Sequence, residues 1–80
     1  MASMMANLVE YVAKALVDEP EQVRVTERDE NGRIIIELDV AEGDLGKVIG
    51  RDGRIANALR SLTKVAAIRE DKRVSLEIGR

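Results

Sequence analysis

The residues best suited to chemistry lie together in one run, Gly46-Lys47-Val48-Ile49-Gly50-Arg51-Asp52-Gly53-Arg54-Ile55-Ala56. Two glycines, Gly50 and Gly53, bracket two polar residues, and a base stands before, inside and after the bracket. Neither glycine carries a Cβ, so the backbone there can turn tightly and let another chain come close. The amides that open a helix after such a loop are unpaired donors, and the helix dipole adds partial positive charge to them. Lys47, Arg51 and Arg54 contribute charge-assisted donors of the kind that suit phosphate. Together these features make a clamp for a phosphate backbone.

Other glycine-loop chemistries fail on spacing. A Walker A loop needs Gly five positions before Gly46-Lys47 and a hydroxyl after it, where the chain has Ala41 and Val48. A dinucleotide fingerprint starting at Gly46 needs Gly where Val48 stands, and a longer βαβ unit behind it. The remainder of the chain offers no rival site. There is no Cys, His, Trp or Phe, and Tyr11 is the single aromatic, read as a packing residue at a helix edge. Zinc chemistry, thiol nucleophiles, imidazole bases and disulfide frameworks are therefore excluded. The acids form no glycine-bracketed calcium loop. No nucleophile and base pair up, so neither an enzyme nor a metal or other cofactor is expected.

Charge is divided along the chain. Residues 1–43 hold ten acids and four bases, a net of −6, while residues 44–80 hold nine bases and five acids, a net of +4. The whole carries −2, so a polyanion would be held by local charge rather than steered by the global field. Met1 to Leu8 has no basic residue, and no apolar run is long enough to span a bilayer, so neither a secretory leader nor a membrane segment is expected and the cytoplasm is the expected compartment.

The elements that must position the loop follow from periodicity. Leu8, Val9, Val12, Ala13 and Leu16 predict an amphipathic helix over about 5–17, stopped by Asp18-Glu19-Pro20. Alternation from Val23 to Arg28 predicts a strand, and Asn31-Gly32 supplies the positive φ angles of a tight hairpin. Arg33 to Val40 is the clearest strand, with Ile34, Ile36, Leu38 and Val40 facing inward and Ile35, Glu37 and Asp39 facing solvent. Glu42 to Ile49 reads as a short helix weakened by Gly43 and Gly46, glycines assigned to close helix packing. Arg54 to Ile68 reads as a longer helix. Its inward stripe is Ile55, Ala58, Leu59, Leu62, Val65 and Ala66, and its polar side holds Arg54, Asn57, Arg60, Ser61 and Lys64. Val74, Leu76 and Ile78 form a last strand. The order α-β-β-α-α-β, with two helices between the second and third strands, predicts an α+β fold. It has a three-stranded mixed sheet with three helices on one face, built as one domain over 1–80.

Val48-Ile49-Gly50-Arg51-Asp52-Gly53-Arg54-Ile55 resembles the V-I-G-x-x-G-x-x-I signature of KH domains, whose G-x-x-G loop clamps about four single-stranded nucleotides. The element order is similar to the type II, bacterial arrangement, and a KH domain of this length most resembles the small bacterial KhpA family. The resemblance extends over nearly the whole chain. It implies single-stranded RNA binding without catalysis, as an RNA chaperone or post-transcriptional regulator, with a link to bacterial cell shape and cell-wall growth. Carried onto this sequence, Gly50, Arg51, Asp52 and Gly53 form the clamp, loop 50–53, with Lys47 and Arg54 as flanking cations. Ile49 and Ile55 form groove wall beneath the bases, and Asn57, Arg60 and Lys64 add contacts. The family also implies a homodimer, or a heterodimer with a second KH-domain protein. Asp52 departs from a simple phosphate site: it reads either as an RNA ligand or as the N-cap of the following helix. Net negative charge and Asp52 leave a second reading open, a KH-fold protein-interaction module with weak or no RNA binding.

Overall fold

The computed structural model of the chain describes residues 3–79. Helix α1 (Met4–Leu16) starts at Ser3, whose side chain accepts the Ala6 amide, and buries Met5, Ala6, Val9 and Ala13. Val17 turns extended, and Pro20 opens a single 3-10 turn rather than more α-helix, because proline fits the first turn of a helix and not its interior. Strand β1 (Arg24–Glu30) pairs antiparallel with β2 (Arg33–Asp39) through the two-residue turn Asn31-Gly32, at φ 57° and 90°. Asp29 fixes that turn by accepting the Gly32 amide at 2.9 Å. A 3-10 turn over Glu42–Asp44 leads into α2 (Leu45–Ile49), a second over Arg51–Gly53 into α3 (Arg54–Arg69), and β3 (Arg73–Ile78) closes the order.

The sheet runs β1-β2-β3, with β3 parallel to β2. Parallel pairing requires the long crossover that α2 and α3 supply. The expected α+β architecture is thus present, with β2 central. Ile34, Ile36, Leu38 and Leu76 on the inner face join Val9, Val48 and Leu59 from the three helices in one core.

Four local expectations are corrected. Ile35, read as solvent-facing, is only 6% exposed. It lies on the outer face between Arg28 and Ser75. Arg28 is drawn to Glu30 (2.8 Å) and Glu37 (3.1 Å), and Arg33 donates to Ser75 Oγ (2.8 Å), so these ties flank the isoleucine on both sides. Long side chains held in this way can shield an apolar neighbour with their stems. The inward stripe of α3 is rotated: Ala56, Leu59, Thr63 and Ala67 are buried, whereas Ala58, Leu62 and Val65 are exposed. Small residues let the helix sit close to the sheet, and the Thr63 hydroxyl is satisfied by the Leu59 and Arg60 carbonyls at 3.0 Å each. Tyr11 packs against nothing substantial and is exposed. A Cβ built at Gly43 or Gly46 would meet nothing within 4 Å, so close packing does not account for either glycine.

Candidate nucleic-acid interface

Helix α2 ends because Gly50 takes φ 78°, ψ 172°, a conformation outside the reach of ordinary side chains. Space enforces the same choice: a Cβ there would lie 2.7 Å from Ile55 Cγ1 and 3.0 Å from the Ile55 backbone nitrogen. The Gly50 amide donates back to the Gly46 carbonyl (2.9 Å), and the Gly53 amide to the Gly50 carbonyl (3.1 Å), so the loop is a bonded turn rather than a slack connection. Asp52 and Gly53 are consecutive left-handed residues, at φ 57° and 75°. A Cβ at Gly53 would meet only Asn57 Nδ2, at 3.7 Å and so in ordinary contact, and its requirement is conformational alone.

Asp52 does not cap α3. The N-cap of that helix is Gly53, and no side chain bonds to its opening amides. The left-handed backbone at Asp52 removes the extended geometry from which an aspartate reaches forward to the second or third amide of a helix. Its side chain is exposed, and so are those of Arg51 and Arg54. Among the described residues no ion pair involves either arginine. The loop thus presents two unpaired guanidinium groups beside an uncapped helix start, with Ile49 and Ile55 half-buried behind it.

Lys47 is placed differently. Its ammonium lies 3.2 Å from Asp18 and 3.4 Å from Asp44, and these carboxylates hold it charged to a higher pH than an ordinary lysine. Asp44, 3% exposed, was not apparent from sequence as part of the site. Burial pushes its carboxyl up, but the amides of Asp18 (3.2 Å) and Glu19 (3.0 Å), aided by Lys47, outweigh that and hold it below the usual aspartate range. This buried anion ties the end of α1 to the start of α2 and so fixes the base of the loop. The sequence signal was slight, an acid three residues before Lys47, and its backbone partners stand some 25 positions away.

Beyond the loop, Arg54, Asn57, Ser61 and Lys64 recur along one side of α3 and are exposed. Arg60 Nε donates to the Leu76 carbonyl of β3 (3.3 Å), on the edge of β3 that has no neighbouring strand. A groove of about 300 Å³ between helix and strand is lined by Arg60, Thr63, Lys64, Val74, Ser75 and Leu76. The structure therefore brings loop 50–53, Arg54, Ile49 and Ile55 together at the start of α3, and the groove lies further along that helix. Arg60 and Lys64 lie along it, and Lys47 is set back among acids.

A family model described as KhpA/KhpB, KH domain matches residues 6–78. The chain belongs to that family. Among its KH-domain relatives, the RNA-binding protein KhpA of Caldanaerobacter subterraneus subsp. tengcongensis is 57% identical over 74 residues, covering 92% of this chain and 99% of that protein. The RNA-binding protein KhpA of Treponema pallidum is 47% identical over 78 residues, 98% of each. Among solved structures, Era in complex with MgGDPNP and nucleotides 1506–1542 of 16S ribosomal RNA aligns with a TM-score of 0.61 at 20% identity. The alignment covers 94% of this chain and 29% of that one, a likeness of fold.

Proposed function

We propose that this chain is a single-stranded RNA-binding protein that grips the sugar-phosphate backbone with loop 50–53 and carries out no covalent chemistry. The observation that carries this reading is the pair of exposed, unpaired arginines, Arg51 and Arg54, flanking two left-handed residues at an uncapped helix start. Phosphate oxygens find charge-assisted and backbone donors there, and Gly50 keeps side-chain bulk out of the approach. Ile49 and Ile55 provide aliphatic wall for the first bases, while Asn57, Arg60 and Lys64 line the path that follows. The groove offers no aromatic platform, in keeping with a KH-type cleft rather than a stacking sheet. Family membership and the names of its relatives support RNA as the ligand. The cytoplasm is the compartment where the RNA would be met.

A partner of the same fold is part of this proposal. Leu62 and Val65 are 50% and 54% exposed on α3, forming with Ala58 a strip that flanks the basic stripe. An apolar strip of that kind fits burial against a second KH-domain chain, either a copy or a related protein. One domain that holds about four nucleotides binds weakly, and pairing two raises their effective concentration along one strand.

Fluorescence anisotropy with a short mixed-sequence RNA tests the binding claim. With roughly three phosphate contacts, log K falls against log salt with a slope near −2. Binding that ignores salt, or no binding at low salt, overturns it and favours a protein-interaction module.

A further inference from the structure

At the opposite end of α3 from the clamp lie two adjoining depressions of about 450 and 480 Å³, both lined by Arg33, Ile68, Lys72 and Arg73. Lys64 lines the second of them and also the groove beside β3, so the depressions continue that groove. Among the described residues no ion pair engages Arg33, Lys64, Lys72 or Arg73. Arg33 and Arg73 stand directly opposite one another in the β2–β3 register. Arg33 also faces Glu30 across the β1–β2 pair, whereas Arg73, on an edge strand, has no acid opposite it. Two acids share the rim: Glu30 is taken up by Arg28 (2.8 Å), and Asp71 sits in a left-handed turn at φ 58°. Between the cations Ile68 is 65% exposed. Arg33 donates to Ser75 Oγ (2.8 Å), which leaves Lys64, Lys72 and Arg73 as the free cations around this aliphatic shelf. The arrangement matches the chemistry of a nucleotide, with a base for the shelf and a phosphate for the rim.

Position adds to composition. From Arg54 to Ile68 along α3 is about 20 Å at ~1.5 Å per residue. Four nucleotides at a stacked spacing of about 3.4 Å span only ~10 Å. We propose that this far end is a second nucleotide site: an RNA strand gripped at loop 50–53 continues along α3 and sets further phosphates on Lys72 and Arg73, with a base against Ile68. This rests on the RNA-binding reading above.

The test compares four- and eight-nucleotide mixed-sequence RNAs on three proteins: the unaltered chain, Lys72→Ala/Arg73→Ala and Arg51→Ala/Arg54→Ala. Two added contacts steepen the salt slope of the longer RNA by about 1.4, so it loses about sevenfold more affinity than the shorter RNA between 50 and 200 mM salt. Lys72→Ala/Arg73→Ala abolishes that difference and leaves the four-nucleotide RNA unaffected, while Arg51→Ala/Arg54→Ala weakens both lengths. An unchanged slope difference in Lys72→Ala/Arg73→Ala overturns the second site, and so does an equal loss for both lengths, which marks a general field effect. Failure of Arg51→Ala/Arg54→Ala to weaken the shorter RNA instead overturns the clamp, and the second site falls with it.

Discussion

Two turns in this molecule share a backbone signature and differ in almost everything else. Asn31-Gly32 and Asp52-Gly53 each place two consecutive residues at positive φ, and the first member of each pair lies at 57°. At the hairpin the donor is consumed locally: Asp29 accepts the Gly32 amide, and Arg28 is taken up by Glu30 and Glu37. At the loop between α2 and α3, among the described residues, no side chain accepts from the helix start, and Arg51 and Arg54 have no acid partner. Glycine geometry is common to both turns. What separates the structural turn from the proposed binding loop is the set of donors left unspent.

The comparison can be broken most severely at Gly50, which has no counterpart in the hairpin. Gly50→Ala combines left-handed strain with a clash against the Ile55 backbone, and should cost about 2–4 kcal/mol in urea denaturation. Gly32→Ala and Gly53→Ala face strain without a clash, and each should cost only about 1 kcal/mol. Of these two, only Gly53→Ala should also weaken RNA in an anisotropy titration. Second in size to Gly50→Ala is Arg51→Ala/Arg54→Ala, expected to lower RNA affinity about tenfold, or ~1.4 kcal/mol, at low salt. Its stability should shift by no more than about 0.5 kcal/mol, as at other exposed positions. Asp52→Asn removes an anion that repels phosphate and caps nothing, so binding should tighten about two- to threefold, or ~0.5 kcal/mol.

The acids beneath the loop give a pH signature. Because the Asp44 carboxyl is held below its ordinary range, its stabilising effect is complete above about pH 4 and is lost as the pH falls further. Thermal melts between pH 6 and pH 2.5 should show Tm falling with acid in the natural chain, with a shallower fall in Asp44→Asn.

Much of this was legible beforehand. The alternation in Arg33 to Val40, the Asn-Gly turn and the helical repeat of α1 each place their residues through local periodicity, so topology followed. The glycine-bracketed loop proposed as the clamp was legible because Gly50, Arg51, Asp52 and Gly53 are adjacent in sequence. The structure sets Lys47 back from it. What could not be read depended on contacts distant in the chain. The burial of Ile35 depends on arginines from two strands, the role of Asp44 on amides of Asp18 and Glu19 in the segment after α1, and the rotation of α3 on small residues that an apolar count undervalues. Asp52 misled for a local reason: its residue type suits a cap, but its backbone is left-handed.

The most direct test of the central claim is an amide-resolved NMR titration of the chain with a short mixed-sequence single-stranded RNA, first at low and then at moderate salt. Shifts concentrated in residues 47–55, spreading along the basic side of α3 and fading with salt, with the hairpin amides of residues 29–33 unmoved by a four-nucleotide RNA, are the predicted result. Shifts of equal size at both turns, or none in residues 47–55 at low salt, would contradict it.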